Sequence, residues 1–220
     1  MKGAVGVRAD AFRVRVAGDR ALLLEFPDNA TVHAVASAAR AQWSEQLEEV
    51  VPGHSTVLLV WRGALPSVDA VVSSLDAIAE RAIASSDDTD APEVPDAVTI
   101  PVIYDGDDLG SVAAKLEISE EEVVQLHSGA VYTVAFTGFA PGFPYLIGGD
   151  PRLDLPRLPT PRTQVPAGSV AVAAGYCGIY PRTSPGGWNL LGRTDAVLFD
   201  PDRVPPALLA PGVRVRFEAR

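Results

Sequence analysis

Cysteine is almost missing from this chain. Cys177 is the single one among 220 residues, which excludes an intramolecular disulfide and suits a reducing compartment. It lies in an apolar run with no histidine at catalytic spacing, so the expectation is an inert, packed thiol. Histidine is nearly as scarce: His33, His54 and His127 are the only three, none in a metal-ligand cluster, and the expected set of metal ligands is none. Lysine occurs twice against sixteen arginines, so the choice of arginine at any one position says little by itself. No eighteen apolar residues run together, and the opening MKGAVGVRADAFRVRV has no apolar core of signal-peptide type. Both absences predict a soluble, cytoplasmic protein with no membrane contact. Positive charge is short as well, since 18 Lys and Arg against 28 Asp and Glu leave a formal net charge of -10. That balance argues against a nucleic-acid partner, whose phosphates demand larger basic patches. Also missing are a P-loop, a GxSxG elbow and a GxGxxG following a strand.

What is present is ample apolar material, 47% of the residues, enough for one large or two small cores. Alternation over residues 12–16 (Phe12, Val14, Val16) and the apolar run 21–26 predict a hairpin turning at Ala17, Gly18 and Asp19. Val32, Val35, Ala36, Ala39, Trp43 and Leu47 keep a helical period over residues 30–47, with Asn29 as a suitable N-cap. Strand patterns at 49–51 and 56–61 flank Pro52 and Gly53, and Ser67 opens a second helix running to about residue 84. The order ββαββα predicts a small α+β sandwich domain over residues 1–88, with helices on one face of a mostly antiparallel sheet. Residues 85–96, SSDDTDAPEVPD, are acidic and proline-containing and read as a linker. Beyond it, 98–104 reads as a strand and 107–116 as a helix. Ser119 with Glu122 forms a capping box for a helix from 120 to about 127. After the strand-like 130–136, short strands separated by Pro and Gly run to an alternating end at Val213, Val215 and Phe217. Residues 89–220 therefore predict a mainly β, closed or nearly closed barrel.

Residues 138–194 stand apart. Their 57 residues hold ten glycines and nine prolines, half of the chain's total, with five arginines, two aspartates and neither Lys nor Glu. The segment is thus net +3 inside an acidic protein. Shaped loops of local positive charge lined by aromatics suit a small anion. Within it, SPGGWN (184–189) offers Gly186 and Gly187 as an anion nest beside the Trp188 indole. A tight barrel turn with a packed tryptophan has the same sequence pattern. Outside it, His127 ends the capped helix, where the dipole favours a protonated imidazole suited to general acid chemistry or to a plain dipole partner. His33 and His54 read as structural or solvated.

These residues also carry a resemblance. GFAPGFPYL (138–146), LPTPR (158–162), VPAGSVAVA (165–173), GIYP (178–181) and SPGGWNLLGRT (184–194) resemble the KipI/PxpB family, with weaker matches at Tyr104 and Asp105, at His127 and at LFDP (198–201). Tyr176 and Cys177 depart from its pattern before GIYP. The resemblance implies a cyclophilin-like β-barrel behind the α+β domain. It also implies a subunit of an ATP-dependent 5-oxoprolinase converting 5-oxo-L-proline to L-glutamate. ATP would be a co-substrate, with or without Mg2+, and the partners would be a PxpC/KipA-like subunit plus one of LamB/YcsF type. Two other activities known among similar proteins are inhibition of a sensor histidine kinase and a place in a urea- or allophanate-metabolising complex. Expected catalytic residues are His127 and Arg162. Expected substrate or nucleotide contacts are Tyr104, Arg157, Ser184, Gly186, Gly187, Trp188, Asn189 and Arg193. Phe139, Phe143 and Tyr145, together with Trp188, are the expected partner contact.

Overall fold

A computed structural model of the chain describes residues 7–8, 12–86 and 97–220. Most of the expected linker, from residue 87 on, lies outside the described residues. Contacts divide the chain into two compact units, Met1–Glu93 and Val94–Arg220.

In the first unit, strands β1 (Val7–Arg8), β2 (Arg13–Val16), β3 (Ala21–Glu25), β4 (Leu47–Pro52) and β5 (Thr56–Trp61) form an antiparallel sheet in the order β1-β2-β3-β5-β4. Alternation buries one face: Leu22 and Leu24 on β3, and Val57, Leu59 and Trp61 on β5. Helices α1 (Asn29–Gln42) and α2 (Val68–Ser86) share one core with that face through Val32, Val35, Ala36, Ala39, Val71, Leu75 and Ala79. Each fully buried leucine there contributes about 2 kcal/mol of transfer free energy. Three details differ from the sequence reading. The cap of α1 is Asp28, whose Oδ1 accepts the Thr31 N–H at 2.8 Å. Asn29 instead donates its amide to the Gly53 and His54 carbonyls at 3.2 and 2.8 Å, tethering the β4–β5 turn. The helix stops at Gln42, because Leu47, whose spacing continues the helical period, is taken by β4, where pairing with Trp61 buries it better. Val16, expected inside, is 43% exposed at the end of its strand.

The second unit follows the reading more closely. Strands β6 (Val98–Val102), β7 (Val131–Thr137), β8 (Pro144–Ile147), β10 (Ser169–Ala173), β11 (Tyr176–Ile179), β13 (Asn189–Arg193) and β14 (Arg214–Ala219) form a seven-stranded sheet ordered β13-β10-β11-β8-β7-β14-β6, and β9 (Arg162–Val165) pairs with β12 (Ser184–Gly186). Reciprocal main-chain bonds of 2.9 Å between Ile103 and Arg193 join the two edges of the large sheet into a nearly closed barrel. Its interior holds Ile100, Val134, Leu146, Val170, Ile179, Leu191, Val215 and Phe217. Helices α3 (Leu109–Leu116) and α4 (Glu120–Ser128) interrupt the strands. The predicted capping box is present: Ser119 Oγ accepts the Glu122 N–H at 3.2 Å, and Glu122 Oε2 accepts the Ser119 N–H at 2.8 Å. The Ser119 N–H and the Ser119 hydroxyl, each donating to Glu122 Oε2 at 2.8 Å, hold the Glu122 carboxyl below its ordinary range.

Candidate functional site

The connections β7–β8, β11–β12 and β12–β13 meet in an aromatic cluster. Phe143 lies edge-on to Tyr180 and to Trp188, with ring centroids 5.2 and 5.5 Å apart, and Tyr145 lies edge-on to Trp188 at 5.6 Å. Such packing presents ring edges to ring faces, the arrangement favoured by the aromatic quadrupole. Around it opens a pocket of about 110 Å³ lined by Phe139, Tyr145, Tyr180, Trp188, Gly186, Gly187 and Arg157. Two glycines make room for the rings. A Cβ on Gly178 would stand 2.9 Å from both Phe143 and Trp188, and one on Gly186 would collide with the Tyr180 hydroxyl. Neither Gly186 nor Gly187 has the positive φ that an alternating left-handed nest requires. The nest expected of SPGGWN is therefore not formed, and at Gly186 the need for glycine is close approach.

Arg157 reaches this pocket because its loop is clamped. The Leu158 N–H donates to the Gly187 carbonyl at 2.7 Å. The fully buried Asn189 donates its amide to the carbonyls of Pro156 and Val172, each at 3.1 Å. Asn189 thus positions the arginine rather than lining the pocket. Among the described residues Arg157 makes no ion pair, which leaves its exposed guanidinium available to an anion. Burial raises the Tyr180 phenol above its ordinary range, Tyr145 adds to the rise, and Arg157 and Arg162 oppose it. Tyr180 consequently stays a hydrogen-bond donor at the cationic end of an aromatic cavity.

Arg162 differs from the expectation of an anion contact. Its Nη2 donates to Asp108 Oδ1 at 2.8 Å, a bond that raises the guanidinium pKa, and Asp108 Oδ2 accepts the Leu190 N–H at 2.8 Å. The ion pair holds the start of α3 against β9 and β13, so half of the planar fork is already used. Arg162 pairs along the main chain with Gly186, which lines the pocket, but does not itself line it. Arg193 is exposed and donates Nε to Asp105 at 2.8 Å, and Ser184 is buried with its hydroxyl on the Arg182 carbonyl. Neither lines the pocket. Phe143 and Trp188 are buried in the chain's own cluster, Tyr145 is half-buried, and Phe139 alone of the expected partner contacts is exposed. The first three therefore serve packing here.

Tyr104 and His127 form a separate centre in the barrel core. The Tyr104 hydroxyl is hydrogen-bonded to His127 Nδ1 at 2.7 Å, and His127 Nε2 stands 3.2 Å from Cys177 Sγ. The Tyr132 hydroxyl donates to the His127 carbonyl at 3.1 Å, and the Phe217 ring lies 4.4 Å from the imidazole. Complete burial lowers the His127 pKa to about 3 and raises the Cys177 thiol. Desolvation overrides the helix dipole, so the imidazole is neutral, not protonated as its position on α4 suggested. The thiol does have a histidine neighbour, fifty residues away in sequence. It is nonetheless unreactive by pKa, since the pair is neutral and not a thiolate–imidazolium. Cys177 also borders a second cavity of about 70 Å³ with Asp150, Asp154 and Tyr176. Among the described residues no group of three His, Cys, Asp or Glu could hold a metal ion.

Tyr180 and Asp108 were not singled out from sequence. Tyr180 sits inside the GIYP motif, whereas nothing local marks Asp108, whose role depends on partners 54 and 82 residues away.

The carboxyltransferase domain, subdomain C and D, matches residues 12–209 of the chain. The chain is 43% identical over 174 residues to the B subunit of 5-oxoprolinase from Escherichia coli O157:H7, spanning 77% of this chain and 76% of that protein. It is 33% identical over 222 residues to the B subunit of 5-oxoprolinase from Bacillus subtilis (strain 168), spanning 94% and 92%. Among solved structures, TTHA0988 superposes with a TM-score of 0.75 at 39% identity over 91% of this chain, which spans only 40% of that one. The Kluyveromyces lactis urea amidolyase superposes with a TM-score of 0.66 at 18% identity over 98% of this chain and 15% of that one, a likeness of fold alone. The matched length and the identities agree with the motifs between residues 138 and 194, and the chain belongs to the carboxyltransferase-domain C and D family and, within it, to the relatives of the 5-oxoprolinase B subunit, the KipI/PxpB family.

Proposed function

We propose that this chain is a non-autonomous subunit of an ATP-dependent 5-oxoprolinase that opens the lactam of 5-oxo-L-proline to L-glutamate. One observation carries the reading: identity to a 5-oxoprolinase B subunit extends over 94% of the chain. The pocket agrees with it. At about 110 Å³ it is well below the roughly 300 Å³ at which ligand sites for larger molecules begin, so it suits a small ring and not a whole nucleotide. Aromatic walls would take the ring, and Arg157 with the Tyr180 hydroxyl would take its carboxylate. A lactam carbonyl is a poor electrophile, and phosphorylating its oxygen from ATP would provide a leaving group before water attacks. No complete nucleotide or nucleophile constellation stands beside the pocket among the described residues, which is why further subunits belong to the proposal. They are a PxpC/KipA-like subunit plus one of LamB/YcsF type, with ATP, alone or with Mg2+, bound with their help. A cyclophilin-like identity of the barrel and a domain boundary at residue 88 are part of the same reading. The test is glutamate release from 5-oxoproline and ATP with single, paired and all three subunits. Turnover is expected only in the assembled mixture, and strong turnover by this chain alone would refute the proposal.

A further inference from the structure

In the second unit, four of the large apolar side chains left in solvent are borne on two loops that touch. Phe139, on the β7–β8 connection, is 59% exposed, and Val197, Phe199 and Val204, between β13 and β14, are 60%, 38% and 95% exposed. The loops meet at Gly142, where a Cβ would stand 2.6 Å from Phe199 Cβ and 3.2 Å from the Leu198 carbonyl oxygen. Their shape is fixed. The Arg203 guanidinium donates to the Val197, Leu198 and Pro206 carbonyls at 3.0–3.3 Å, and Phe199 bridges to Ala207. Phe139 has φ +65°, a left-handed conformation that is a strained outlier for a bulky residue. In this conformation the exposed ring lies edge-on to Phe143 and Tyr180 at the pocket. Single exposed apolar residues need no explanation, but a group on pinned loops marks an interaction surface.

We propose that this patch is the docking surface for the companion protein module of the complex, and that docking covers the aromatic pocket at Phe139. The occupant is argued from the family itself. In TTHA0988 the homologous module is 40% of the chain, so there it is joined covalently to a body of protein larger than itself. The 5-oxoprolinase B subunits that this chain matches over 76% and 92% of their length have no room for such a body in their own chain, and as subunits they meet other proteins through a surface. The partner face it fits is apolar at its centre, where a few anchors carry most of the binding energy, the Phe139 ring foremost, with Val197 and Val204 excluding water around it. The inference rests on the reading of the chain as one subunit of several, and the experiment separates the two.

The full chain is titrated with the purified PxpC/KipA-like partner by calorimetry. Wild type is compared with Phe139→Ser, with the pair Val197→Ser and Val204→Ser, and with a control pair Val16→Ser and Val51→Ser, whose side chains are 43% and 44% exposed in the first unit. Melting temperatures confirm that each variant is folded. The expected result is at least a tenfold weaker Kd for the patch variants and no change for the control pair. Unchanged Kd in the patch variants, with wild type binding, overturns the surface and leaves the subunit reading standing. No binding by wild type, whether or not the LamB/YcsF-type protein is present, overturns both. Sedimentation of the chain alone showing a dimer that the Val197/Val204 pair abolishes assigns the patch to a second copy and overturns the proposal.

Discussion

At the scale of single residues, His127 shows how burial outweighs local electrostatics. Its place in the last turn of α4 favours a cation, yet complete burial keeps it neutral, with a pKa of about 3. Because the folded pKa lies below the ordinary value of 6.5, the unfolded chain binds a proton that the folded chain refuses. Stability contributed by neutral His127 is present above about pH 6.5 and lost as pH falls toward 3, by up to roughly 1.4 kcal/mol per pH unit. Thermal unfolding between pH 7 and 4 should show that slope, and His127→Phe should flatten it whatever its effect at pH 7. Arg157→Ala should raise the KM for 5-oxoproline in the assembled complex about tenfold or more while kcat changes less, if the guanidinium binds the substrate carboxylate. An equal fall in kcat at constant KM would remove Arg157 from substrate binding. Gly178→Ala places a methyl 2.9 Å from Phe143 and Trp188 and should cost about 1–3 kcal/mol in denaturant unfolding.

At the scale of elements, the pocket depends on a few bonds between segments far apart in sequence. Asp108 joins the start of α3 to Arg162 on β9 and to the Leu190 N–H on β13. Removing one partner of a part-buried, hydrogen-bonded ion pair leaves the other uncompensated. Asp108→Ala should therefore destabilise the second unit by about 2–4 kcal/mol, and Asp108→Ala with Arg162→Met should recover part of the loss. Losses from Asp108→Ala and Arg162→Met that simply add in the double variant would show that the pair itself contributes little. Ser119→Ala removes half of a capping box and should cost about 1 kcal/mol. The capping box, the β2–β3 hairpin and the strand at 56–61 were legible because each is set by residues close together in the chain. The end of α1 was not, since Leu47 satisfies a helical period and a buried strand position equally well, and only pairing with Trp61 decides between them.

At the scale of the whole molecule, each unit has its own core, and that of the second includes the barrel interior and the aromatic cluster. Expressed by itself, Val94–Arg220 should fold, with a circular dichroism spectrum and cooperative melt of a mainly β protein; an unfolded fragment would show that the first unit is required. The sequence by itself determined the order of elements, the two-part organisation of the pattern and the segment from 138 to 194 that holds the pocket. Periodicity, turn residues and charge are properties of neighbours in the chain, so they can be read along it. Tertiary structure alone decided which residues of that segment converge. It set Arg157, Tyr180 and Trp188 around one cavity, sent Tyr104 and His127 to the barrel core beside Cys177, and committed Arg162 to Asp108. The physical reason is that a pocket, a buried pKa and an ion pair are made by the folding of the second unit, which brings together groups from different strands and loops, His127 with Cys177 and Arg162 with Asp108 being 50 or more residues apart, and sets how much water each one keeps.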